Sequence, residues 1–417
     1  MAKFGLVAAA VCALAFLSLV LVPFARADWT MFRSDPSHDG VGQGVSVFPP
    51  NLLWVFNESS GYSSPAVVGG VLFVGSQDGN VYAVNASSGA ELWSHGIGNG
   101  VFSSPAVVDG TVYVGSENGN VFALDSATGT QVWSYSAGGI IDSSPTVVDG
   151  AVYVGSTDGN IYALEASNGQ KIWSVNIGYS VLSSPAVVDG LVYVGSMGVY
   201  ASTVNTSNGL YALNATDGTI LWSYLTGAGV YSSPAVVDSS VYFGSGDGNV
   251  YALNLQGAKL WNYSTSNMVT SSPAVANGTV YVASTNGNLY ALDANSGTKL
   301  WDFTTNTGQS SPAVVDGVVY VGSEDQNVYA LNGVTGDELW TYHVGSFVES
   351  CPTVSDGVVY VESGYGGVYA LGSSPTYPTP EFPTPIIMSS LIVGSVFAVL
   401  IWRIKIKTVN KNRLFVN

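Results

Sequence analysis

Eight positions in the chain combine side chains that could bind a ligand with a regular spacing. Each is the residue immediately before a Ser-Ser-Pro sequence or its single variant, Ser-Cys-Pro. They are Tyr62, Phe102, Asp142, Leu182, Tyr231, Thr270, Gln309 and Glu349. Two carboxylates, three aromatic rings and two neutral polar groups, if brought together, could line a surface suited to a peptide or a sugar. The alternative is that they are loop residues with no shared role.

Catalytic chemistry has little support in the sequence. Asp142 and Glu349 belong to distant repeats, so they do not indicate a carboxylate pair acting on one bond. His38, His95 and His343 are scattered and show no metal-ligand spacing. The recurring Asp-Gly-Asn turns lack the dense oxygen ligands of a calcium loop. We therefore expect no catalytic, cofactor or metal site.

The eight Ser-Ser-Pro or Ser-Cys-Pro sequences, which we call marks, belong to a repeat of about 40 residues. A series of tryptophans has nearly the same period and lies between the marks. It comprises Trp54, Trp93, Trp133, Trp173, Trp222, Trp261, Trp301 and Trp340. Two independent series with one period indicate eight copies of one module.

Each module contains four short strand signals separated by turn residues. In the second copy these are PAVV, TVYVGS, NVFAL and QVWSY, with Asp-Gly, Asn-Gly and Thr-Gly pairs supplying the positive φ that tight turns need. The repeats show no sustained 3.6-residue apolar period, which excludes helix. We predict an all-β, eight-bladed β-propeller of four-stranded antiparallel blades over residues 28–372. Blades covered on both faces also fit a chain with 47% hydrophobic and 9% charged residues.

The order of the two series predicts how the ring closes. Trp54 precedes the first mark, whereas three strand signals and no tryptophan follow Pro352. We therefore expect Leu52–Phe56 to be the outermost strand of the last blade, because open terminal edges would otherwise remain. The tryptophans should be structural, each clamping one blade on the next by burying a large ring. The eight variable positions should then surround the mouth of the central channel.

One segment carries a family resemblance. Ala123–Trp133, ALDSATGTQVW, resembles the tryptophan-docking motif of the pyrroloquinoline-quinone (PQQ) or quinoprotein-type propeller repeats, and Ala291–Trp301 and Ala330–Trp340 are similar. Asp28–Gly40 also resembles the entry segment of such proteins. The family contains quinoprotein dehydrogenases and also scaffold propellers such as the lipoprotein of the bacterial outer-membrane assembly machine. The shared motif is structural in both branches, so it implies a fold and does not choose a function.

The dehydrogenase branch of that family carries an adjacent cysteine pair, long insertions and a calcium site beside the quinone. This chain has no such pair, since Cys12 lies in the leader and Cys351 replaces a serine of the repeat. Cys351 is predicted to be a small buried residue. The modest insertion Met197–Asn208, between the second and third strands of the fourth module, is either a binding loop or a tolerated surface insertion. PQQ binding is therefore not expected.

The two ends of the chain predict export and anchoring. Residues 1–27 have the basic start, apolar run and small-residue cleavage site of a signal peptide. Residues 373–384 form a Pro-rich linker, 385–402 an uncharged transmembrane helix, and 403–417 a basic tail. The positive-inside rule places this tail in the cytoplasm and the propeller outside the cell. The Pro-Glu-Phe sequence before the span resembles an archaeal sorting signal, whose processing would replace the helix by a lipid anchor.

The exterior part of the chain is strongly acidic. All 28 acidic residues lie within residues 28–384, against Arg33, Lys171, Lys259 and Lys299, which leaves a net charge of −24. No basic patch exists to bind nucleic acid. Six Asn-x-Ser/Thr sequences are possible N-glycosylation sites on an exported protein. They are at Asn57, Asn85, Asn205, Asn214, Asn262 and Asn277.

Together these features predict a non-enzymatic, surface-anchored propeller that acts as a protein-binding or scaffold module in the cell envelope. Its expected partners are cell-envelope proteins or surface glycans. A polysaccharide-binding surface protein and a PQQ-dependent dehydrogenase are the alternatives.

Overall fold

The computed structural model describes residues 28–47, 49–198 and 208–372, without the side chain of Thr307. The predicted signal peptide (1–27), linker (373–384), transmembrane helix (385–402) and tail (403–417) lie outside the described residues. The described part contains 32 β-strands. It holds no helix with the length and apolar character needed to cross a bilayer.

The strands form eight separate four-stranded antiparallel sheets, which we number as blades 1 to 8 in the order of their Ser-Ser-Pro marks. Each blade has a short innermost strand, two central strands and an outermost strand that carries the tryptophan. The strands of blades 1 to 4 are Ala66–Val68, Val71–Gly75, Asn80–Asn85 and Glu91–Gly96 (β2–β5); Ala106–Val108, Thr111–Gly115, Asn120–Asp125 and Gln131–Ser136 (β6–β9); Thr146–Val148, Ala151–Gly155, Asn160–Glu165 and Lys171–Asn176 (β10–β13); Ala186–Val188, Leu191–Ser196, Gly209–Asn214 and Ile220–Leu225 (β14–β17). Those of blades 5 to 8 are Ala235–Val237, Ser240–Gly244, Asn249–Asn254 and Lys259–Ser264 (β18–β21); Ala274–Ala276, Thr279–Ala283, Gly287–Asp293 and Lys299–Thr307 (β22–β25); Ala313–Val315, Val318–Gly322, Asn327–Asn332 and Glu338–His343 (β26–β29); Thr353–Ser355, Val358–Ser363 and Gly367–Gly372 (β30–β32), with Asn51–Phe56 (β1).

The ring closes through the N-terminal strand. β1 pairs antiparallel with β32, which places Trp54 opposite Ala370 and Phe56 opposite Val368. The innermost strand of each blade contacts that of the next, and β30 contacts β2. The predicted eight blades, and the role of Leu52–Phe56 as the outermost strand of the last one, are confirmed.

The hydrophobic core lies between the blades rather than within any one of them. Between blades 2 and 3, for example, Tyr113, Val121 and Trp133 pack with Val152 and Tyr162. The central strands are therefore buried on both faces, and their apolar residues run continuously. The outermost strands alternate between buried or partly buried and exposed residues, because their outer edge meets solvent.

The turns explain the repeated polar residues of the module. Asp109 and Gly110, between β6 and β7, have φ values of 49° and 76°, the left-handed geometry of a tight hairpin. The turn between β8 and β9 is held differently: Asp125 Oδ1 accepts hydrogen bonds from the amides of Ala127 and Thr128 at 3.2 and 2.9 Å. Gly129, at φ 71°, lies against the preceding blade, where a Cβ would come within 2.6 Å of the Trp93 ring. The Asp-x-x-Thr-Gly sequence thus builds both a turn and the surface on which a tryptophan packs.

Each tryptophan is held by a hydrogen bond as well as by packing. Trp133 Nε1 donates to the carbonyl of Ala166 in blade 3 at 2.8 Å, and Tyr113 Oη donates to the same oxygen at 3.2 Å. Trp54 likewise donates to Ala86 at 3.0 Å. The remaining acceptors are Ser126 for Trp93, Ala215 for Trp173, Leu255 for Trp222, Ala294 for Trp261, Gly333 for Trp301 and Val47 for Trp340.

The Ser-Ser-Pro mark is also structural. Ser103 Oγ accepts from the amide of Gly115 at 3.0 Å, which fixes the innermost strand to its neighbour in the same blade. Ser104 Oγ accepts from the amide of Ser64 in the preceding blade at 2.9 Å. Seven bonds of this second type, at 2.8–3.0 Å, link the blades around the channel. Because these serines have fixed packing roles, only the residue before each mark is left to vary.

Candidate binding cup

The entry segment, Asp28–Gly44, runs inside the ring and satisfies the inward-facing amides of the innermost strands. The amides of Val107 and Val187, for example, donate to the carbonyls of Thr30 and Pro36, both at 2.7 Å. Arg33 is buried inside the ring, where its guanidinium donates to the carbonyls of Pro273 and Pro312. These backbone contacts come from blades on different sides of the ring, so the segment occupies the central channel.

His38 of the entry segment is a structural residue. It is buried, and its Nε2 lies 3.0 Å from Thr146 Oγ1 in blade 3. Burial, and then the nearby charge of Arg33, lower the pKa of His38 to about 3. The imidazole is therefore neutral at physiological pH, which is consistent with its place in the packed channel.

A cavity of about 240 Å³ remains above the entry segment on one face of the ring, and we call it the cup. All eight positions that precede the marks line it: Tyr62, Phe102, Asp142, Leu182, Tyr231, Thr270, Gln309 and Glu349. Phe32 of the entry segment and the second residue of seven marks also line the cup. The structure thus brings the eight predicted residues together, and their role in binding stays a prediction.

One side of the cup is an aromatic wall. The ring centroids of Tyr62 and Phe102 are 5.4 Å apart, and those of Tyr62 and Phe347 are 6.2 Å apart in a nearly parallel stack. Tyr365 continues the row with an edge-on contact to Phe347 at 5.2 Å. Such a row offers flat apolar surface to a ligand.

Carboxylates stand on both sides of this wall. Burial, and then the charge of Glu117, raise the pKa of Asp142 to about 6. Burial, and then the charge of Glu324, raise the pKa of Glu349. Asp142 Oδ1 is buried without a hydrogen-bond partner among the described residues. Like charges with incomplete partners favour a ligand that brings hydrogen-bond donors or positive charge.

A second recess, which we call the side pocket, opens from the cup between blades 5, 6 and 7 and measures about 450 Å³. It is lined by Leu182, Tyr231, Met268, Thr270, Thr285, Gln309 and Glu324. Four of these residues also line the cup, so the two spaces are continuous. None of the described residues that line either space is lysine, arginine or histidine.

Sequence reasoning missed several residues of the site. Glu117, Thr285 and Glu324 belong to the turns between the two central strands, and each follows the serine at the end of the second strand. Comparing that position among the eight copies would have shown that it varies while the serine before it does not. Phe32 had no such signal, because its place depends on the course of the entry segment rather than on the repeat.

Cys351 and the insertion of the fourth module can also be placed in the structure. Cys351 is buried as a free thiol, and its amide donates to Ser64 Oγ at 2.9 Å, so the prediction of a small buried residue is confirmed. The insertion begins after β15 and ends before β16, between the central strands of blade 4, and residues 199–207 lie outside the described part. Within the described ranges, no group of three or more His, Cys, Asp or Glu could hold a metal ion.

Five of the six possible glycosylation sites are described. Asn57, Asn262 and Asn277 are exposed. Asn85 and Asn214 are half-buried, and each side-chain oxygen accepts an amide of its own turn. Asn205 lies outside the described residues. Glycosylation itself stays a prediction.

Comparison with known proteins agrees with the repeat and the ring. The family model described as outer membrane protein assembly factor BamB matches residues 43–141, 136–290 and 285–374. The chain belongs to this family of PQQ-like propeller repeats. No curated protein matches the chain in sequence.

Solved structures of family-like propellers share the fold at low sequence identity. BamB from Moraxella catarrhalis has a TM-score of 0.67 at 19% identity over 78% of this chain and 100% of its own. Quinohemoprotein alcohol dehydrogenase from Comamonas testosteroni has a TM-score of 0.72 at 16% identity over 84% of this chain and 81% of its own. A europium-containing methanol dehydrogenase has a TM-score of 0.72 at 15% identity over 82% of this chain and 90% of its own. These similarities concern the fold alone.

The residues of the cup do not fit the quinone of the dehydrogenase branch. PQQ is an anion that carries several carboxylates, so its binding requires cations. The cup instead presents Asp142 and Glu349, and the guanidinium of Arg33 donates to backbone carbonyls.

Proposed function

We propose that this chain is a non-enzymatic propeller of the cell envelope that holds a segment of a partner protein in the cup. One observation carries this proposal: the eight positions before the marks, which vary while the marks stay nearly constant, surround a single cavity. Every neighbouring position in the mark has a packing role. Variation at positions that line a cavity is typical of a surface adapted to a ligand.

The composition of the cup supports a protein partner. Tyr62 and Phe102 provide rigid aromatic area, which anchors many protein interfaces. Asp142 and Glu349 provide acceptors for backbone amides and basic side chains. The family description as an assembly factor is consistent with a role in holding other proteins.

We place the propeller outside the cell, anchored through the C-terminal part of the chain. The signal-like residues 1–27, the uncharged residues 385–402 and the basic residues 403–417 support this placement. The acidic surface of the exterior part helps to keep it soluble near the envelope. Neither PQQ nor a metal is part of this proposal.

A surface polysaccharide is the second candidate ligand. The near-parallel stack of Tyr62 on Phe347, extended by Phe102, is a platform on which the flat apolar faces of sugar rings could pack. The Asp142 and Glu349 carboxylates could then accept hydrogen bonds from hydroxyls.

The test is a comparison of three ligands with one protein preparation. The full-length chain in detergent is used in a pull-down of envelope proteins, on a glycan array, and in a thermal-unfolding assay with PQQ and calcium. We expect a protein captured by the wild type and lost in Tyr62→Ala and Asp142→Arg, with no shift of the melting temperature by PQQ. Binding only to glycans would favour the second candidate, and a quinone absorbance that stays with the protein would contradict the proposal.

A further inference from the structure

The blade junction beside the side pocket is one of two that depart from the repeat. At six junctions a valine or isoleucine, two residues before the first serine of a mark, packs on a glycine at the end of a second strand, as Val101 does on Gly75. A Cβ on that glycine would come within 2.4 Å of Val101. Between blades 6 and 7 the equivalent residues are Gly308 and Ala283. The large side chain is absent at this junction, which borders the side pocket through Thr285, Gln309 and Glu324.

The space left by Gly308 borders a carboxylate. A Cβ on Gly308 would lie 3.0 Å from Glu324 Oε1 and 3.8 Å from Thr285 Cα, with no positive φ at that residue. Glu324 is exposed, and its described contacts include no basic side chain. The recess therefore has a charged rim at the end nearest to blade 7.

The opposite side of the recess is apolar. Leu182 and Tyr231 are half-buried in its wall, and Met268 is 44% exposed beside them. A side chain that fits here needs a long apolar stem and a cationic head, since lysine and arginine bury their methylenes on apolar surface while the charge stays at the rim. An acidic side chain would meet Glu324 and Glu349 with like charge.

We propose that the side pocket takes a lysine or arginine side chain of the protein segment held in the cup. This inference rests on the proposed function and adds the chemistry of the partner: an extended segment with a basic residue. Charge complementarity supports this occupant, because the exterior part of the chain carries −24 and no described residue of the cup or side pocket is basic.

The test uses fluorescein-labelled nonapeptides of randomised sequence that differ only in a fixed central residue: lysine, arginine, leucine or glutamate. Their retention is measured on the immobilised full-length chain in detergent. Glu324→Gln removes the charge at constant shape, and Gly308→Val places the side chain found at six other junctions against the Glu324 carboxylate. Glu338→Gln, an exposed acid on the outermost strand of the same blade, is the matched control. Thermal unfolding by circular dichroism verifies that each variant folds.

We expect the wild type and Glu338→Gln to retain lysine- and arginine-centred peptides about tenfold better than leucine- or glutamate-centred ones. Glu324→Gln should reduce that preference about threefold to tenfold, as expected for a charge-assisted contact, and Gly308→Val should abolish it. Equal retention of all four classes, or an equal loss in Glu338→Gln, would overturn the inference. If leucine-centred peptides bind and are lost in Tyr62→Ala, the cup still binds protein segments and only the side-pocket assignment fails. If no peptide is retained, both proposals fail.

Discussion

Trp340 Nε1 donates to the carbonyl of Val47 at 2.8 Å. The other seven tryptophans donate to a carbonyl in the turn before the outermost strand of the next blade. Blade 8 has no such turn, because its last two strands, β32 and β1, come from opposite ends of the propeller sequence. Val47 therefore supplies the missing acceptor, and its own amide donates to Tyr320 Oη at 2.9 Å.

Because Val47 supplies an acceptor, we predict that the junction between blades 7 and 8, which we call the seam, is docked as firmly as the regular junctions. Trp340→Phe, which keeps an aromatic ring and removes the donor, should lower the free energy of unfolding by about 1 kcal/mol. Trp133→Phe is the matched control at a regular junction and should lose a similar amount. Both are measured by urea titration. No loss for Trp340→Phe beside a clear loss for Trp133→Phe would show that the Val47 contact contributes nothing.

Removing a whole tryptophan should have a larger effect. Trp133 is 8% exposed and packs on Gly169 and Tyr113. Trp133→Ala should lower the free energy of unfolding by about 3–5 kcal/mol, because it leaves a cavity between two blades. A loss under about 1 kcal/mol in a denaturant titration would be inconsistent with a buried ring.

Glu362 should make stability depend on pH. It occupies the position where six other blades have the packed glycine, and it is buried opposite Gly61, with Oε1 accepting from Ser59 and Oε2 unpaired among the described groups. Burial raises its pKa well above the usual value. A carboxyl whose pKa is raised in the folded state stabilises the fold when protonated, and that stability is lost as the pH rises through the folded pKa.

The Glu362→Gln variant should therefore be more stable than the wild type at pH 9. At pH 4.5 its stability should be close to that of the wild type. The melting temperature across this range is the measurement, and Glu338→Gln is the exposed control. Identical pH profiles for the wild type and Glu362→Gln would mean that Glu362 reaches solvent.

Asp142 should make stability depend on pH in the same direction as Glu362, over a narrower pH range. Its pKa of about 6, against 3.8 for the free side chain, means that the folded state is stabilised by protonation and loses that stability between about pH 4 and pH 6. Asp142→Asn should gain about 1 kcal/mol over the wild type at pH 8, after allowance for solvent screening, and nothing below pH 4. Glu165→Gln, an exposed acid on another turn, should show no such difference. An equal gain at both pH values would point to a cause other than titration.

The fold could be predicted from the sequence because each module carries the same turn, docking and strand-linking residues. The Asp-x-x-Thr-Gly turn, the tryptophan and the Ser-Ser-Pro mark each make a contact with a neighbouring blade, so eight copies can satisfy one another only in a ring. The eight lining positions could be found for the same reason, as the variable residues in a fixed frame.

The remaining parts of the site depend on contacts that no single copy contains. The side pocket borders the junction of blades 6 and 7, where two residues that lie 25 apart in the sequence, Gly308 and Ala283, both depart from the repeat. The course of the entry segment depends on inward-facing amides that every blade offers equally. The docking of Trp340 on Val47 follows from the position of the seam rather than from any motif.

The most direct test of the central proposal is photo-crosslinking from the cup in cells that produce the full-length chain. A benzophenone-bearing phenylalanine is placed at Phe102 in the cup and, in a second variant, at Val132, which is 55% exposed on the outermost strand of the same blade. We predict a discrete crosslinked protein from position 102 that is absent from position 132 and disappears when Asp142→Arg is added. No product from position 102, or the same products from both positions, would contradict a protein-binding cup.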